Sequence, residues 1–403
     1  MSFPLRLALV SAFPPGRQSL NEYGFHLARE FANRPDVEEI VVIADRLASD
    51  ATELDLGPKI RVVRTWDFNS VLAGPRILRA LAREKVDGAI WNLQTATFGD
   101  REIPAALGLL APAVARLVAC HSGIIAHNLV SGIDLESTQL KGQRLRQSLV
   151  RAGGAAVTRA MLAADYMTVT LKSYQDALAT THPNAPVHLV PHGTFDTNPG
   201  SITPLADRPN RIVTMGKFGT YKRLETLLAA FDILRRDPLY ADYELVIGGS
   251  DHPNAPGYVE EVRRARVGDP GVRVRGYVNE DDIPAFFSTA RASVFDYSAT
   301  TGSSGVLHQT ASYGTAPVFP RIGDFVDVSR DEGLSGANYR VNDAEDMARA
   351  LTAVLGNVEE AQRMATANRQ AALGFPLSSV ADFHIQQMTM LARRRSKSNP
   401  ACA

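Results

Sequence analysis

Cysteine is nearly missing from the 403-residue chain: only Cys120, in an apolar run, and Cys402, at the extreme C-terminus, occur. A disulfide framework or cysteine-built zinc cluster is excluded, and the usage suits a reducing compartment. Surplus charge is also missing. The 43 basic and 43 acidic residues cancel, so no global field draws the chain to nucleic acid and any anion site must be local. No apolar run approaches the ~20 residues of a membrane span, and the N-terminal MSFPLRLALVSAF reads as a first strand rather than a leader. The expected location is therefore cytoplasmic. No His/Asp/Glu cluster has metal-ligand spacing, and no repeat or low-complexity tract is present. What remains, 45% hydrophobic and 21% charged residues, is the composition of an ordinary globular protein, with length for about two or three domains.

Along the chain, strand-like runs alternate with helical periodicity, as a parallel α/β sheet requires. Strands are expected at Leu5–Phe13, Glu39–Ala44, Ile60–Thr65, Gly88–Leu93, Arg116–His121, Met167–Leu171 and Val187–Val190. The segment FDTNPGSITPLADRPNR, rich in Pro, Asn, Asp and Gly, reads as a linker. A second series follows, with strands at Tyr243–Ile247, Val272–Tyr277, Ala292–Phe295 and Ala316–Phe319. Two Rossmann-like domains result, 1–196 and 211–375, with a linker at 197–210 and a last helical stretch within 376–403.

The most informative stretch opens the second series: RIVTMGKFGTYKRLETLLAAF, 211–231. A strand carrying Val213 and Met215 breaks at Gly216 and Gly219, and Leu224, Leu227, Leu228 and Phe231 then recur at helical spacing. Open α/β sheets bind ligands at the carboxyl ends of their strands. Lys217 and Lys222 flank a helix start whose N–H groups and dipole favour an anion, so a bound phosphate is the functional reading. Solvated surface lysines are the bland one.

This order of elements resembles the GT-B glycosyltransferases, in particular the large retaining family that uses nucleotide sugars. MGKFGTYKRLETLLAAF matches its diphosphate-binding stretch through Gly216, Lys217 and Lys222. YELVIGG, VRVRGYVNEDDIPAFFSTARASVF and SGVLHQTASYGTAPV follow in the family's sequence. The resemblance implies two domains facing across a cleft, a last helix returning to the N-terminal domain, and a metal-independent hexosyltransferase needing no cofactor beyond its nucleoside-diphosphate sugar donor. Two family glutamates, for the donor sugar and the nucleotide ribose, are replaced here by Thr301 and Gln309. Gly302, Ser303, Ser304 and Gly305 before the helix still offer N–H groups and hydroxyls to a phosphate or sugar, or Ser303 or Ser304 is simply an N-cap. Gln309 can hydrogen-bond ribose hydroxyls.

His121, read as ending the strand RLVACH, falls where the family places a histidine facing the donor sugar, with a positioning role in catalysis. His192 in VPHG reads as a turn residue. Asn21, Glu22 and Tyr23, after the first strand's loop, are weak acceptor-side candidates; Glu22 is otherwise a helix-start carboxylate. No acid occurs between Glu136 and Asp165, while Lys141, Arg144, Arg146, Arg151 and Arg159 are interleaved with apolar residues. Such a helix meets an anionic acceptor or the inner face of a membrane, or is a solvated face. The acceptor itself, a saccharide, a lipid-linked molecule or a small molecule, stays open. A nucleotide-sugar epimerase of the same fold and a catalytically impaired subunit that binds a partner are the rival functions.

Overall fold

The structure, a computed structural model, describes residues 4–16, 18–47, 52–118, 121–129, 144–196, 198–299 and 302–398. It divides into two compact units, 1–193 with 377–403, and 194–376. The segment 198–210 thus belongs to the second unit instead of standing between the two.

The first unit holds β1 (Leu5–Val10), β2 (Val37–Asp45), β3 (Ile60–Trp66), β4 (Gly88–Leu93), β5 (His121–Ala126), β6 (Tyr166–Val169) and β7 (Val187–Leu189). They lie in the order β3-β2-β1-β4-β5-β6-β7, and every pair is parallel. A strand covered on both faces is a near-continuous apolar run, and β4, GAIWNL, is buried at every position, interrupted by the hydrogen-bonded Asn92. The helix Leu377–Ser398 belongs to this unit. Its His384 Nδ1 meets the Tyr166 hydroxyl at 2.8 Å, and its Met388 lies over Gly88, where a Cβ would come within 2.5 Å of the sulfur.

The second unit holds β8 (Arg211–Phe218), β9 (Glu244–Asp251), β10 (Val272–Gly276), β11 (Ala292–Val294), β12 (Ala316–Pro320) and β13 (Ala337–Tyr339). Its parallel order is β10-β9-β8-β11-β12-β13. Period-two alternation sends neighbouring residues to opposite faces. Ile212 and Leu245 enter one core with the helix Glu225–Leu234, and Val213 and Val246 enter another with Phe286 and Phe287. In both sheets the strand order reverses beside the first strand, between β1 and β4 and between β8 and β11, which is the topological switch point where Rossmann-like sheets bind ligands.

One buried cation fixes the segment that sequence composition marks as a linker. Arg208 is 2% exposed and donates to the carbonyls of Thr203 (2.9 Å), Ala290 (2.7 Å) and Tyr313 (3.2 Å) and to the Thr315 hydroxyl (3.1 Å). Burial lowers its pKa to about 10, which leaves it charged at neutral pH. Arg208→Ala removes the donor from several buried acceptors at once. At ~1–3 kcal/mol for each group left unpaired, we expect a loss of about 3 kcal/mol or more in urea unfolding, with Arg208→Lys recovering only part because ammonium lacks the planar fork.

Candidate functional site

The carboxyl ends of β8 and β11 are tied together by backbone. Gly219 turns the chain at φ +112°, a value suited to glycine, and its N–H donates to the Lys222 carbonyl at 2.8 Å. The next residues run antiparallel to those following β11. Lys222 bridges Tyr297, the Ser298 N–H donates to the Tyr221 carbonyl (2.8 Å), and the Arg223 N–H donates to the Asp296 carbonyl (2.8 Å). Lys217 sits half-buried near the end of β8, paired with Ser250 of β9. The Lys222 stem crosses Gly216, where a Cβ would come within 3.2 Å of its Cδ. Its ammonium stands 4.7 Å from the Tyr297 ring centre and 5.8 Å from that of Tyr221. Burial pulls its pKa down, yet the Tyr297 and Tyr221 oxygens beside it hold it above the ordinary lysine value. Lys222 is thus a permanent cation on aromatic walls.

The neighbouring helix ends depart from the sequence expectation. At the start of the helix Glu225–Leu234 several N–H groups are already taken. The Leu224 N–H donates to the Tyr258 hydroxyl (2.8 Å), and the Leu227 N–H to the Asp296 carboxylate (3.0 Å). Asp296 is 4% exposed, and burial raises its pKa against the hydrogen bonds from Leu227 and Thr226. Ahead of the helix Gly305–Ser312, the Gly302 N–H donates to the Asp324 carboxylate. Ser304 is the N-cap, its hydroxyl accepting from the Leu307 N–H at 3.4 Å. Ser303 keeps a buried hydroxyl that makes no hydrogen bond. Gly305 opens this helix and Gln309 lies on it, 8% exposed; Thr301 lies outside the described residues. The helix is anchored from behind by His308, which meets the Ser304 carbonyl and the Glu332 carboxylate at 2.9 Å each.

In the first unit the structure corrects the histidine. Residues 116–118 form a 3-10 turn, and the strand begins at His121. His121 therefore stands at the amino end of the sheet, opposite Gly88, the first residue of β4. Its Nδ1 lies 3.6 Å from the Asp165 carboxylate. The misreading arises because a short apolar run such as RLVAC does not distinguish strand from helix. His127 follows the carboxyl end of β5 instead. It is 6% exposed, its Nε2 is 2.7 Å from Asn92 Oδ1, and its ring meets Tyr23 at 4.5 Å and His192 at 5.7 Å. Asn92 gives its amide hydrogens to the Ser11 hydroxyl and the Leu20 carbonyl, so its oxygen faces His127 and fixes the Nε2–H tautomer. Among the acceptor-side candidates, Asn21 closes the loop by donating to the Gly16 carbonyl (2.7 Å), and Tyr23 is buried, donating to the His192 carbonyl (2.9 Å). Glu22 lies half-buried in the first helical turn.

Residues 209–357 match the family model described as Glycosyl transferases group 1. That match spans most of the second unit. Among solved structures, sucrose-phosphate synthase from Thermosynechococcus elongatus is 18% identical with a TM-score of 0.72, covering 98% of this chain and 100% of its own. Anabaena HepE, solved with UDP and glucose, is 13% identical with a TM-score of 0.66, over 96% and 99%. WaaG, a glycosyltransferase involved in lipopolysaccharide biosynthesis, is 13% identical with a TM-score of 0.64, over 95% and 99%. The comparison with curated proteins gave no match. The chain thus has the GT-B fold, built from two Rossmann-like domains.

Within this glycosyltransferase fold, sequence reasoning missed His127, Asp296, Tyr297 and Asp324. Only His127 had a usable signal, as the histidine that ends GIIAH. The buried histidines also leave a signature in stability. Burial lowers the pKa of His127 and of His384 to about 3, below the unfolded value of ~6.5. Between those values the unfolded chain binds protons that the native state does not, so stability falls as pH drops below ~6.5. His308 works in the opposite sense: burial opposes its protonation, but the Glu332 carboxylate raises its pKa, a contribution lost as pH rises past ~6.5. Urea unfolding at pH 6.5 and 5.0 should show His127→Gln and His384→Gln each flattening the acid-side loss by up to about 2 kcal/mol. A variant with the parent's slope would mean that the imidazole titrates normally in the folded state.

Proposed function

We propose that this chain is a retaining, metal-independent hexosyltransferase whose second unit holds a nucleoside-diphosphate sugar and whose first unit takes the acceptor. The observation that carries the reading is the pairing of Lys217 and Lys222 across a glycine turn at the β8/β11 switch point, within the family-matched region. Breaking the glycosidic bond builds negative charge on the β-phosphate. A cation fixed there before reaction stabilises that charge without reorganisation. Retention then follows from acceptor attack on the face the diphosphate leaves, with no protein nucleophile. His127 is neutral at physiological pH and held in one tautomer, which suits orienting a hydroxyl and not donating a proton. The UDP bound by HepE supports a nucleoside diphosphate as the ligand class.

The test is a thermal-shift panel of UDP, GDP, ADP and dTDP with and without chelator, since a ligand bound only by the native state raises its stability. One nucleotide should stand out, unaffected by chelator. Lys217→Ala or Lys222→Ala should weaken it by about 1.5–3 kcal/mol, the size of a charge-assisted hydrogen bond. His127→Ala should lower transfer more than nucleotide binding, while His121→Ala leaves transfer near the parent. Parent-like binding by both lysine variants overturns the phosphate assignment. Donor turnover with no acceptor present would favour an epimerase, and nucleotide binding without turnover a non-catalytic subunit.

A membrane-facing acceptor is supported by the helix Arg144–Met161. Arg144, Arg151 and Arg159 are exposed while Gln147, Gly154 and Met161 are buried; Lys141 lies outside the described residues. The neighbouring segment 102–118 exposes Ile103 (67%) and Leu117 (84%). No described helix is long and apolar enough to cross a membrane, so contact is peripheral, combining basic and apolar side chains. Sedimentation with anionic vesicles at low salt should be visible, fade with added salt, and weaken in Ile103→Asp and Leu117→Asp. No sedimentation at low salt leaves a solvated face.

A further inference from the structure

We propose that Tyr297, with Thr220 and Ser303, forms a set of hydroxyl donors that binds the diphosphate beside Lys222, a role that rests on the donor reading above. Three observations converge on it. Lys222 is an ammonium with no carboxylate partner among the described residues; its side chain instead packs on Tyr297 and Tyr221. Around the same loop and the helix start that follows it, three buried hydroxyl oxygens close no hydrogen bond of normal geometry: Tyr297, 3% exposed, whose oxygen has the Lys222 ammonium and Ser304 near it, Thr220 in the same turn as Lys222, and Ser303 ahead of the helix Gly305–Ser312. Lastly, at both nearby helix starts a backbone N–H is already taken by one of the protein's own carboxylates, Leu227 by Asp296 and Gly302 by Asp324, so side-chain donors gain weight.

An unpartnered buried hydroxyl costs stability, and three around one uncompensated cation describe a site shaped for an anion with several acceptor oxygens. A diphosphate supplies them. Burial raises the pKa of the Tyr297 hydroxyl, so it keeps its proton and donates at neutral pH. Lys222 contributes the charge, and the hydroxyls, being neutral, contribute direction.

The roles separate in an experiment on the full chain with isosteric variants. Inorganic pyrophosphate, UDP, GDP and ADP are titrated calorimetrically into the parent, Lys222→Ala, Tyr297→Phe and Thr220→Val, and each unliganded protein is melted. Tyr297→Phe should bind the preferred nucleotide about 10-fold or more weakly, the scale of a hydrogen bond to a charged group. It should also melt close to the parent's Tm, because the hydroxyl closes no hydrogen bond of normal geometry in the unliganded protein. Thr220→Val should behave alike with a smaller change. Weakening with pyrophosphate as well as with the nucleotide places the contact on the phosphates. Weakening confined to the nucleotide overturns that. Parent-like affinity in Tyr297→Phe overturns the hydroxyl role while loss in Lys222→Ala leaves the lysine reading standing; a lowered Tm with unchanged affinity makes the hydroxyl structural and also overturns it. A parent that binds none of the four probes defeats the donor reading itself.

Discussion

The second unit depends on where the carboxylate of Asp296 sits. It lies just beyond the end of β11 and accepts from the start of the helix that follows β8, so one side chain joins the two strands flanking the switch point. Its backbone carbonyl holds Arg223, and its neighbour Tyr297 bridges Lys222. A carboxylate at a helix N-terminus answers both the N–H groups left over by helix geometry and the positive end of the dipole. The same feature that makes a helix start attractive to phosphate is spent here on holding the loop. The lysine loop is a consequence of that cap, and its cation has to work from outside the helix axis.

Burial leaves the cations of this unit unequally compensated. Removing a charge from water is costly unless other groups replace the lost solvent. Around Arg208 the replacement is complete, with carbonyls on the guanidinium fork and little exposed surface. His308 meets a carbonyl on one nitrogen and the Glu332 carboxylate on the other, so its protonated form is fully used. Lys222 has aromatic faces and hydroxyls around it and no counter-ion among the described residues. Cation–π contact offsets only part of the loss, of the order of 0.5–2 kcal/mol. That difference in completeness, and not the degree of burial, sets Lys222 apart from Arg208 and His308.

Most of the fold was legible because it rests on local periodicity: apolar runs for parallel strands, helical spacing between them, and glycines at strand ends. The strand Gly88–Leu93 falls where the sequence puts it, and β8, 211–218, opens the second unit as expected. β13, Ala337–Tyr339, escaped notice because so short a strand carries almost no pattern. His121 begins the strand it was expected to end, because the apolar run before it is ambiguous between turn and strand. The site was legible only in its lysines and glycines, which lie in one contiguous stretch. Asp296 reaches Leu227 across 69 positions and Asp324 reaches Gly302 across 22. No window of local sequence announces such pairs, and the capping carboxylates look like ordinary surface acids until the chain has folded.

The charge around the expected donor site differs in kind from what paired glutamates would make. At the ribose position Gln309 lies on a helix at 8% exposure, where a carboxylate would face both desolvation and the helix's own geometry, and an amide avoids the first. The described carboxylates on the adjoining helix starts, Asp296 and Asp324, are turned onto backbone N–H groups. Their charge is therefore already answered locally, and it subtracts less from the potential at Lys222 than an outward carboxylate at similar distance. Under the proposed donor reading, a site with cations, neutral hydroxyls and an amide would bind through phosphate charge first and read the remaining ligand by hydrogen-bond direction. Under that reading, selectivity between nucleotides would rest on shape and amide geometry, since the site offers no carboxylate to the ribose or sugar from Asp296, Asp324 or Gln309.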